Sequence, residues 1–185
     1  MPEIDLFNNQ DFVAKGAKLG LLYHVGIAVR DIDAAKKRFG EVFGVSEWRG
    51  DPPMPPPPPV QHGEQPTRGG LRWAYTKGPF PWLELLQPTD DVAWSMTDFL
   101  KEKGEGVHHL GYFVDDVNEA ARQLADMGIG GVPPGTPNGQ KVEPPYRVLY
   151  LDASKTHGVS FELVDQRIRN TLVKFVTTGE WDPIT

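Results

Sequence analysis

Two histidines and two glutamates recur at matching places in two similar stretches of this sequence. His24 and His109 each lie in an apolar run, and Glu84 and Glu162 follow them at separations of 60 and 53 residues. Each glutamate has apolar neighbours on both sides, where burial of an unpaired carboxylate would be costly. Neutral imidazole nitrogens and carboxylate oxygens together suit a divalent ion such as Zn, Ni, Co, Mn or Fe. The residue types therefore predict one shared metal site.

The composition narrows the remaining classes of function. The chain has 185 residues and no cysteine, so cysteine nucleophiles, disulfides and cysteine-held metals are excluded and any metal ligands must be nitrogen or oxygen. A net charge of −6 provides no basic field for nucleic acid. The longest apolar stretches fall short of the roughly 20 residues that a membrane span needs, and the amino end lacks a basic segment leading into an apolar one. We therefore expect a cytoplasmic protein with neither nucleic acid nor membrane as a partner.

The elements that must position these four residues occur twice. Residues 21–29 predict a strand, and 34–43 predict an amphipathic helix that a glycine ends. The same order recurs with a strand over 107–114 and a helix over 117–127. The matched pairs, all 85 positions apart, are His24 and His109, Gly26 and Gly111, Val29 and Val114, Asp31 and Asp116, and Ala35 and Ala120. A repeat of this length indicates a duplicated module rather than a solenoid, whose units span roughly 20–50 residues.

Each copy is predicted to have the order β-α-β-β-β, which makes the fold class α+β. The further predicted strands cover 45–49, 71–76 and 82–87 in the first copy and 129–132, 147–151 and 159–164 in the second. The predicted organisation is an amino-terminal appendage (1–19), module 1 (20–90) with a proline-rich insertion (51–69), a linking helix (91–105), module 2 (106–165) and a carboxy-terminal extension (166–185) with a helix over 166–178. If the two sheets associate about a pseudo-twofold axis, equivalent positions of both modules face one concavity.

Four motifs give the chain a resemblance to a known family. They are His-Val-Gly-Ile-Ala-Val-x-Asp from position 24, Leu-Glu-Leu-Leu-x-Pro from 83, Gly-x-His-His-Leu-x-Tyr-Phe-Val-Asp-Asp-Val from 106 and Lys-Thr-His-Gly-Val-x-Phe-Glu-Leu from 155. Over residues 21–165 the chain resembles the vicinal oxygen chelate superfamily, which includes glyoxalases, bleomycin resistance proteins and dioxygenases. Within it, the resemblance is to methylmalonyl-CoA epimerase-like and glyoxalase I-like members.

This resemblance implies a fold, a cofactor and a type of reaction. It implies that the mixed sheets of two βαβββ modules form a cup-shaped half-barrel around one divalent metal ion. The family's four ligands fall on His24, Glu84, His109 and Glu162, which is the set reached from the repeat. The second ligand is often Gln in known epimerases and Glu in glyoxalase I, as here. In this superfamily the metal chelates neighbouring substrate oxygens while a proton is removed beside a carbonyl. We therefore expect a metal-dependent isomerase, epimerase or lyase.

The residues that handle protons and substrate match the family less closely. Glu162 and Glu84 are the predicted catalytic acid and base, and the better-matched motif favours Glu162. Epimerases of the family have an additional glutamate on the third strand of module 1, where residues 70–77 of this chain contain none. Arg72 and Tyr75 on that strand are predicted to bind substrate instead. The predicted partner is a small anionic or acyl-thioester molecule.

Two other functions remain open from the sequence. An Fe(II) extradiol-type dioxygenase uses two histidines and one glutamate, but Glu84 would fill a position that O2 chemistry keeps open. A non-catalytic protein of the bleomycin-resistance type would hold a small ligand in the cup, although such proteins often lack the set of metal ligands.

A homodimer is compatible with sheet edges that need covering.

Three histidines fall outside the repeated set. His108 should point away from the metal, because neighbouring residues of a strand face opposite sides of its sheet. His157 is expected in the turn before the last strand. His62 lies in the proline-rich insertion, where we expect exposure to solvent.

Overall fold

The structure is a computed structural model that describes residues 18–50 and 69–181. Its strands are β1 (Leu22–Ala28), β2 (Trp48–Gly50), β3 (Leu71–Thr76), β4 (Trp82–Pro88), β5 (Gly106–Val114), β6 (Gly131–Val132), β7 (Val148–Leu151) and β8 (Ser160–Asp165). Its α-helices are α1 (Ile32–Phe43), α2 (Ser95–Glu102), α3 (Val117–Asp126) and α4 (Arg169–Thr178). Single 3-10 turns occur at Ala153–Lys155 and Gln166–Ile168.

The eight strands form one open sheet in the order β2-β3-β4-β1-β5-β8-β7-β6. β1 and β5 pair antiparallel at its centre, and each has a parallel neighbour from its own half, β4 beside β1 and β8 beside β5. The order therefore reads the same from the centre towards either edge. The predicted α+β class is confirmed, and the two predicted mixed sheets are joined into one open sheet through the β1–β5 pair.

The predicted elements agree with the structure except at their ends. The linking helix forms over Ser95–Glu102 only, and the predicted final helix is a 3-10 turn followed by α4. The proline-rich insertion falls almost wholly outside the described residues, as does most of the amino-terminal appendage, and His62 lies in the former. The division of the chain into an appendage, two modules, a linker and an extension stays a prediction.

α1 and α3 start and pack in the same way in the two halves. Asp31 caps α1 by accepting hydrogen bonds from the backbone N–H groups of Asp33 and Ala34, and Asp116 caps α3 in the same manner. α1 buries Ile32 against the outer face of the sheet, and α3 buries Val117, Ala120 and Leu124 against that face of the second half. The two helices thus cover the convex side.

α2 and α4 cover the opposite, concave side. Trp94 and two apolar residues of α2 pack with Ala28 and Leu86, which have the strand parity of His24 and Glu84. At the other end of this face, Leu172 and Val176 of α4 pack with Tyr23 and Trp82. The inner face of the cup is therefore enclosed by α2 on one side and α4 on the other. Within the described ranges, no helix has the length and apolar character to cross a membrane.

Candidate metal centre

The structure brings the four residues of the repeat together at the centre of the sheet. His24 lies on β1, His109 on β5, Glu84 on β4 and Glu162 on β8, so the four side chains come from four adjacent strands. All four are buried, with exposed fractions of 0% to 6%. The same arrangement of strands in each half delivers one imidazole and one carboxylate to the shared inner face.

The nitrogen and oxygen atoms of this cluster are spaced as ligands of a single ion would be. One ligand atom from each residue lies within 4.8 Å of the other three. His24 Nε2 is 2.7 Å from His109 Nε2, 2.9 Å from Glu84 Oε2 and 3.2 Å from Glu162 Oε2. Zinc binds such atoms at about 2.0–2.2 Å, which places neighbouring ligand atoms roughly 3–3.5 Å apart in tetrahedral or octahedral geometry. The four residues therefore could hold a metal ion.

The charges of the cluster also suit a bound cation. Burial alone would raise the pKa of Glu84, but the neighbouring imidazoles of His24 and His109 outweigh burial and lower that pKa to about 2. Burial alone would lower the pKa of His24, but Glu84 and Glu162 outweigh it and raise that pKa. Two buried carboxylates thus favour positive charge in the site, and a divalent ion could supply it. Glu84 Oε2 accepts no well-aligned hydrogen bond within the described part of the chain, although His24 Nε2 lies close by.

Two glycines make room for the histidine rings. In the β1–β5 pair, Gly26 lies opposite His109, and Gly111 lies opposite His24. A Cβ atom added at Gly26 would lie 2.1 Å from the His109 ring, and one at Gly111 would lie 2.2 Å from the His24 ring. Each half therefore supplies both a histidine and the space for the histidine of the other half. The glycine two residues after each histidine was visible in the repeat, but its reason appears only in the strand register.

Each ligand histidine is preceded by a residue that is not paired across the central strands. The register of β1 and β5 shifts twice, with Tyr23 as the additional residue on β1 and His108 as the additional residue on β5. Such bulges redirect side chains and often lie beside functional sites. The Tyr23 hydroxyl donates a hydrogen bond of 2.8 Å to Glu162 Oε2, and His108 Nδ1 is 2.9 Å from His109 Nδ1. The expectation that His108 points away from the cluster is wrong, because strand parity fails at a bulge.

Three buried tyrosines lie against the cluster. Tyr75 is paired with Glu84 in β3–β4, and Tyr150 is paired with Glu162 in β7–β8. Burial, together with the two glutamate charges, raises the pKa of Tyr23, Tyr75 and Tyr150 well above the ordinary value, so all three are neutral hydroxyl groups. Sequence reasoning found Tyr75 but missed the other two. For Tyr150 the signal was a tyrosine on the strand before the glutamate strand in both halves, hidden because the loops between these strands differ in length.

Arg72 is not brought to the cluster. Its guanidinium group pairs with the Asp33 carboxylate of α1 at 3.1 Å, on the convex side of the sheet. Tyr75, three positions further along β3, has the opposite parity and contacts the His24 ring with centroids 5.5 Å apart. His157 is exposed in the turn before β8, with a positive φ of 55°.

His108 is enclosed between α2 and the cluster. Its ring contacts Phe99 of α2 edge to face at 5.2 Å and Tyr150 at 5.5 Å. Burial, with a smaller contribution from His109, lowers the pKa of His108 to about 3, although a hydrogen bond to the backbone of Ser95 acts in the opposite direction. The ring is therefore neutral at physiological pH.

Comparison with known proteins identifies the family to which the chain is similar. The profile of the Glyoxalase/Bleomycin resistance protein/Dioxygenase superfamily matches residues 23–148. The mitochondrial methylmalonyl-CoA epimerase of Dictyostelium discoideum is 30% identical over 151 residues, which are 80% of this chain and 80% of that protein. The mitochondrial methylmalonyl-CoA epimerase of Bos taurus is 31% identical over 146 residues, 78% of this chain and 74% of that protein.

A solved structure extends the likeness to three dimensions. A variant of Streptomyces coelicolor methylmalonyl-CoA epimerase in complex with 2-nitronate-propionyl-CoA is 25% identical, with a TM-score of 0.55. The alignment covers 80% of this chain and 98% of that one. The open sheet thus has a counterpart in a protein of known activity.

Proposed function

Because the chain belongs to the glyoxalase/bleomycin resistance protein/dioxygenase superfamily, we propose that it is a metal-dependent epimerase acting on an acyl-CoA thioester. The observation that carries this proposal is the buried cluster of His24, Glu84, His109 and Glu162, with ligand atoms within 4.8 Å of one another. The epimerase relatives, which align over most of their length, support the type of reaction and the substrate class. Methylmalonyl-CoA is the first substrate to test.

In this proposal, the four residues of the cluster hold one divalent ion. A bound ion would supply a fixed positive charge beside the thioester carbonyl, where negative charge develops when the neighbouring carbon loses its proton. Neutral imidazoles and ionised carboxylates are the forms that bind a cation. The choice among Zn, Ni, Co, Mn and Fe depends on supply in the cell as well as on this ligand set.

Epimerisation also needs groups that take a proton from one face of a carbon atom and return one to the other face. We assign this work to Glu162 and Glu84, which reach the site from strands on opposite sides of the β1–β5 pair. The Tyr23 hydroxyl holds the Glu162 carboxylate in place by its hydrogen bond. We also propose that the Tyr75 hydroxyl, which is neutral and close to Glu84, donates a hydrogen bond to a polar group of the substrate.

The enclosure of the inner face serves the same reaction. α2 and α4 place apolar side chains on both sides of the cluster, which excludes water and strengthens electrostatic interactions inside. Between turnovers the two carboxylates exchange their protons with bulk water, so a product formed in D2O carries deuterium at the α-carbon.

The test combines metal analysis with proton exchange. Protein purified without added metal is analysed for bound elements and then incubated with methylmalonyl-CoA in D2O, while NMR follows replacement of the α-proton. We expect near-stoichiometric divalent metal and rapid exchange. Glu162→Gln should lower the exchange rate by at least about 100-fold, the scale of general acid–base catalysis. His157→Asn, at an exposed turn that tolerates a positive φ, is the matched control and should leave the rate unchanged.

Other outcomes separate the remaining functions. Metal-loaded protein that exchanges no α-proton in methylmalonyl-CoA or in other acyl-CoA thioesters would contradict an epimerase. Consumption of O2 by iron-loaded protein would support the extradiol-type dioxygenase. Protein that binds an acyl-CoA tightly but contains no metal in any preparation would support a non-catalytic binding protein.

A further inference from the structure

The two ligand histidines differ in what holds the nitrogen that faces away from the cluster. His109 Nδ1 is 2.9 Å from His108 Nδ1, whereas His24 Nδ1 is buried and has no hydrogen-bond partner among the described residues. A histidine that binds metal commonly donates its other ring N–H to a neighbouring acceptor, which fixes the tautomer and the ring orientation. In this chain only the second half shows such a contact in the described ranges.

The number of protons on the two rings determines which nitrogen donates the hydrogen bond between His108 and His109. Two nitrogens 2.9 Å apart share a hydrogen bond only if one carries a proton and the other a lone pair. His109 Nε2 faces the other ligand atoms, so it must keep its lone pair in order to bind a cation. The proton of His109 is then on Nδ1, and His108 Nδ1 must be the acceptor. The proton of His108 is consequently on Nε2.

The surroundings of His108 suit this arrangement. The backbone of Ser95, where α2 begins, also lies within reach of the ring and opposes the lowering of its pKa. Phe99 and Tyr150 pack against the ring and leave it only 7% exposed. The bulge in β5 is what places an acceptor at this point, because a residue in regular register would face the other side of the sheet.

We propose that His108 is a positioning residue that accepts the Nδ1 proton of His109 and so holds Nε2 of His109 ready for the metal ion. This role rests on the proposed metal site and adds the residue that selects the tautomer of one ligand. His108 thus lies between the start of α2 and His109, in contact with both. In the first half, His24 Nδ1 has no such acceptor among the described residues.

The test compares two substitutions that keep most of the volume of the side chain. His108→Phe retains the aromatic packing but removes the acceptor, and His108→Asn keeps an acceptor oxygen near the position of Nδ1. With Zn2+ as the probe, we expect His108→Phe to raise the dissociation constant about 10- to 100-fold. His108→Asn should recover a large part of that loss, and His157→Asn should bind Zn2+ as the original protein does.

An NMR measurement on the unsubstituted protein tests the tautomer directly. In zinc-loaded protein labelled with 15N at histidine, His109 should carry its proton on Nδ1 and show a scalar coupling to His108 Nδ1 across the hydrogen bond. The coupling provides a readout even if His108→Phe does not fold. A His109 that is unprotonated at Nδ1, or a folded His108→Phe with undiminished Zn2+ affinity, would overturn the role of His108 and leave the metal site intact. An unsubstituted protein that binds no divalent ion would overturn the proposed function together with this inference.

Discussion

The two halves of the molecule place their ligands alike but support them differently. His24 and His109 lie opposite each other's glycines, and each follows a bulged residue at the same position of the repeat. In the first half the bulged residue is Tyr23, which holds a carboxylate from the second half. In the second half it is His108, which contacts the adjacent ligand ring. The ligand positions have thus kept the symmetry of the duplication, whereas the contacts around them have diverged.

The metal ligands and the groups that support them are under different physical constraints. Ligand atoms must lie within a few tenths of an ångström of fixed distances from one ion, so both halves must keep the same strand register. A supporting hydrogen bond can come from any donor or acceptor that reaches the ligand, so phenol and imidazole can serve at equivalent positions. The comparison teaches that the repeat predicts the ligands better than it predicts their supports.

The strongest test of the ligand geometry that the two halves share is to add a methyl group at Gly26 or at Gly111. Gly26→Ala and Gly111→Ala should both abolish tight binding of Zn2+, because the added carbon would lie 2.1 Å or 2.2 Å from a ligand ring. Displacing these buried rings should also lower the free energy of unfolding by about 1–3 kcal/mol. Titration with Zn2+ and urea unfolding measure the two effects.

Gly130→Ala is the matched control for these variants. An added Cβ at this position meets no atom within 4 Å, and we expect Zn2+ affinity to stay unchanged. If Gly26→Ala lost metal while Gly111→Ala kept it, the two halves would not be equivalent in the way that the register indicates.

The supporting contact of the first half can be removed without changing the packing. Tyr23→Phe loses the hydroxyl that donates to Glu162 but keeps the ring that stacks on Phe113 at a centroid distance of 4.2 Å. Hydrogen bonds to charged groups contribute about 1.5–3 kcal/mol. We expect a fall of about 10-fold or more in kcat/KM for an acyl-CoA substrate, measured by α-proton exchange.

The control for the tyrosine is Tyr112→Phe. Tyr112 belongs to the core under α3, on the convex side of the sheet. Removal of its hydroxyl should leave kcat/KM unaltered. Equal losses in the two variants would show that Tyr23 acts through general stability rather than through Glu162.

The smallest expected difference concerns the helix caps. Asp31→Ala and Asp116→Ala each remove an acceptor for two backbone N–H groups, and each should lower the free energy of unfolding by about 1 kcal/mol. Urea unfolding measures both, with exposed Asp126→Ala as a surface control expected within about 0.5 kcal/mol of the original protein. A large inequality between the two caps would mean that the halves contribute unequally to stability.

Much of this architecture could be predicted because the sequence repeats itself. The shift of 85 positions identified the paired histidines, and the strand patterns around Glu84 and Glu162 indicated buried carboxylates. The opposite sides of Arg72 and Tyr75 could also have been predicted, since residues three apart in one strand face opposite sides of a sheet. The expectation that both contact substrate overlooked this parity.

The supports could not be predicted, because they depend on how distant strands align. A bulge at Tyr23 or His108 is a property of the β1–β5 pair, and local sequence patterns in either strand do not reveal it. The covering of the inner face by α2 and α4 is similarly a matter of tertiary packing. Amphipathic patterns indicate that such helices bury one side, but they do not identify the surface on which they pack.

The pairing of β1 with β5 has a consequence for the order of folding. The four side chains of the cluster meet only when strands some 85 residues apart in sequence have joined, a contact that carries a high entropic cost of loop closure. Either half can form its own strand and helix without completing the site. A metal ion that binds the finished cluster would therefore chiefly slow the unfolding of the whole chain, and would do little to speed the folding of either half.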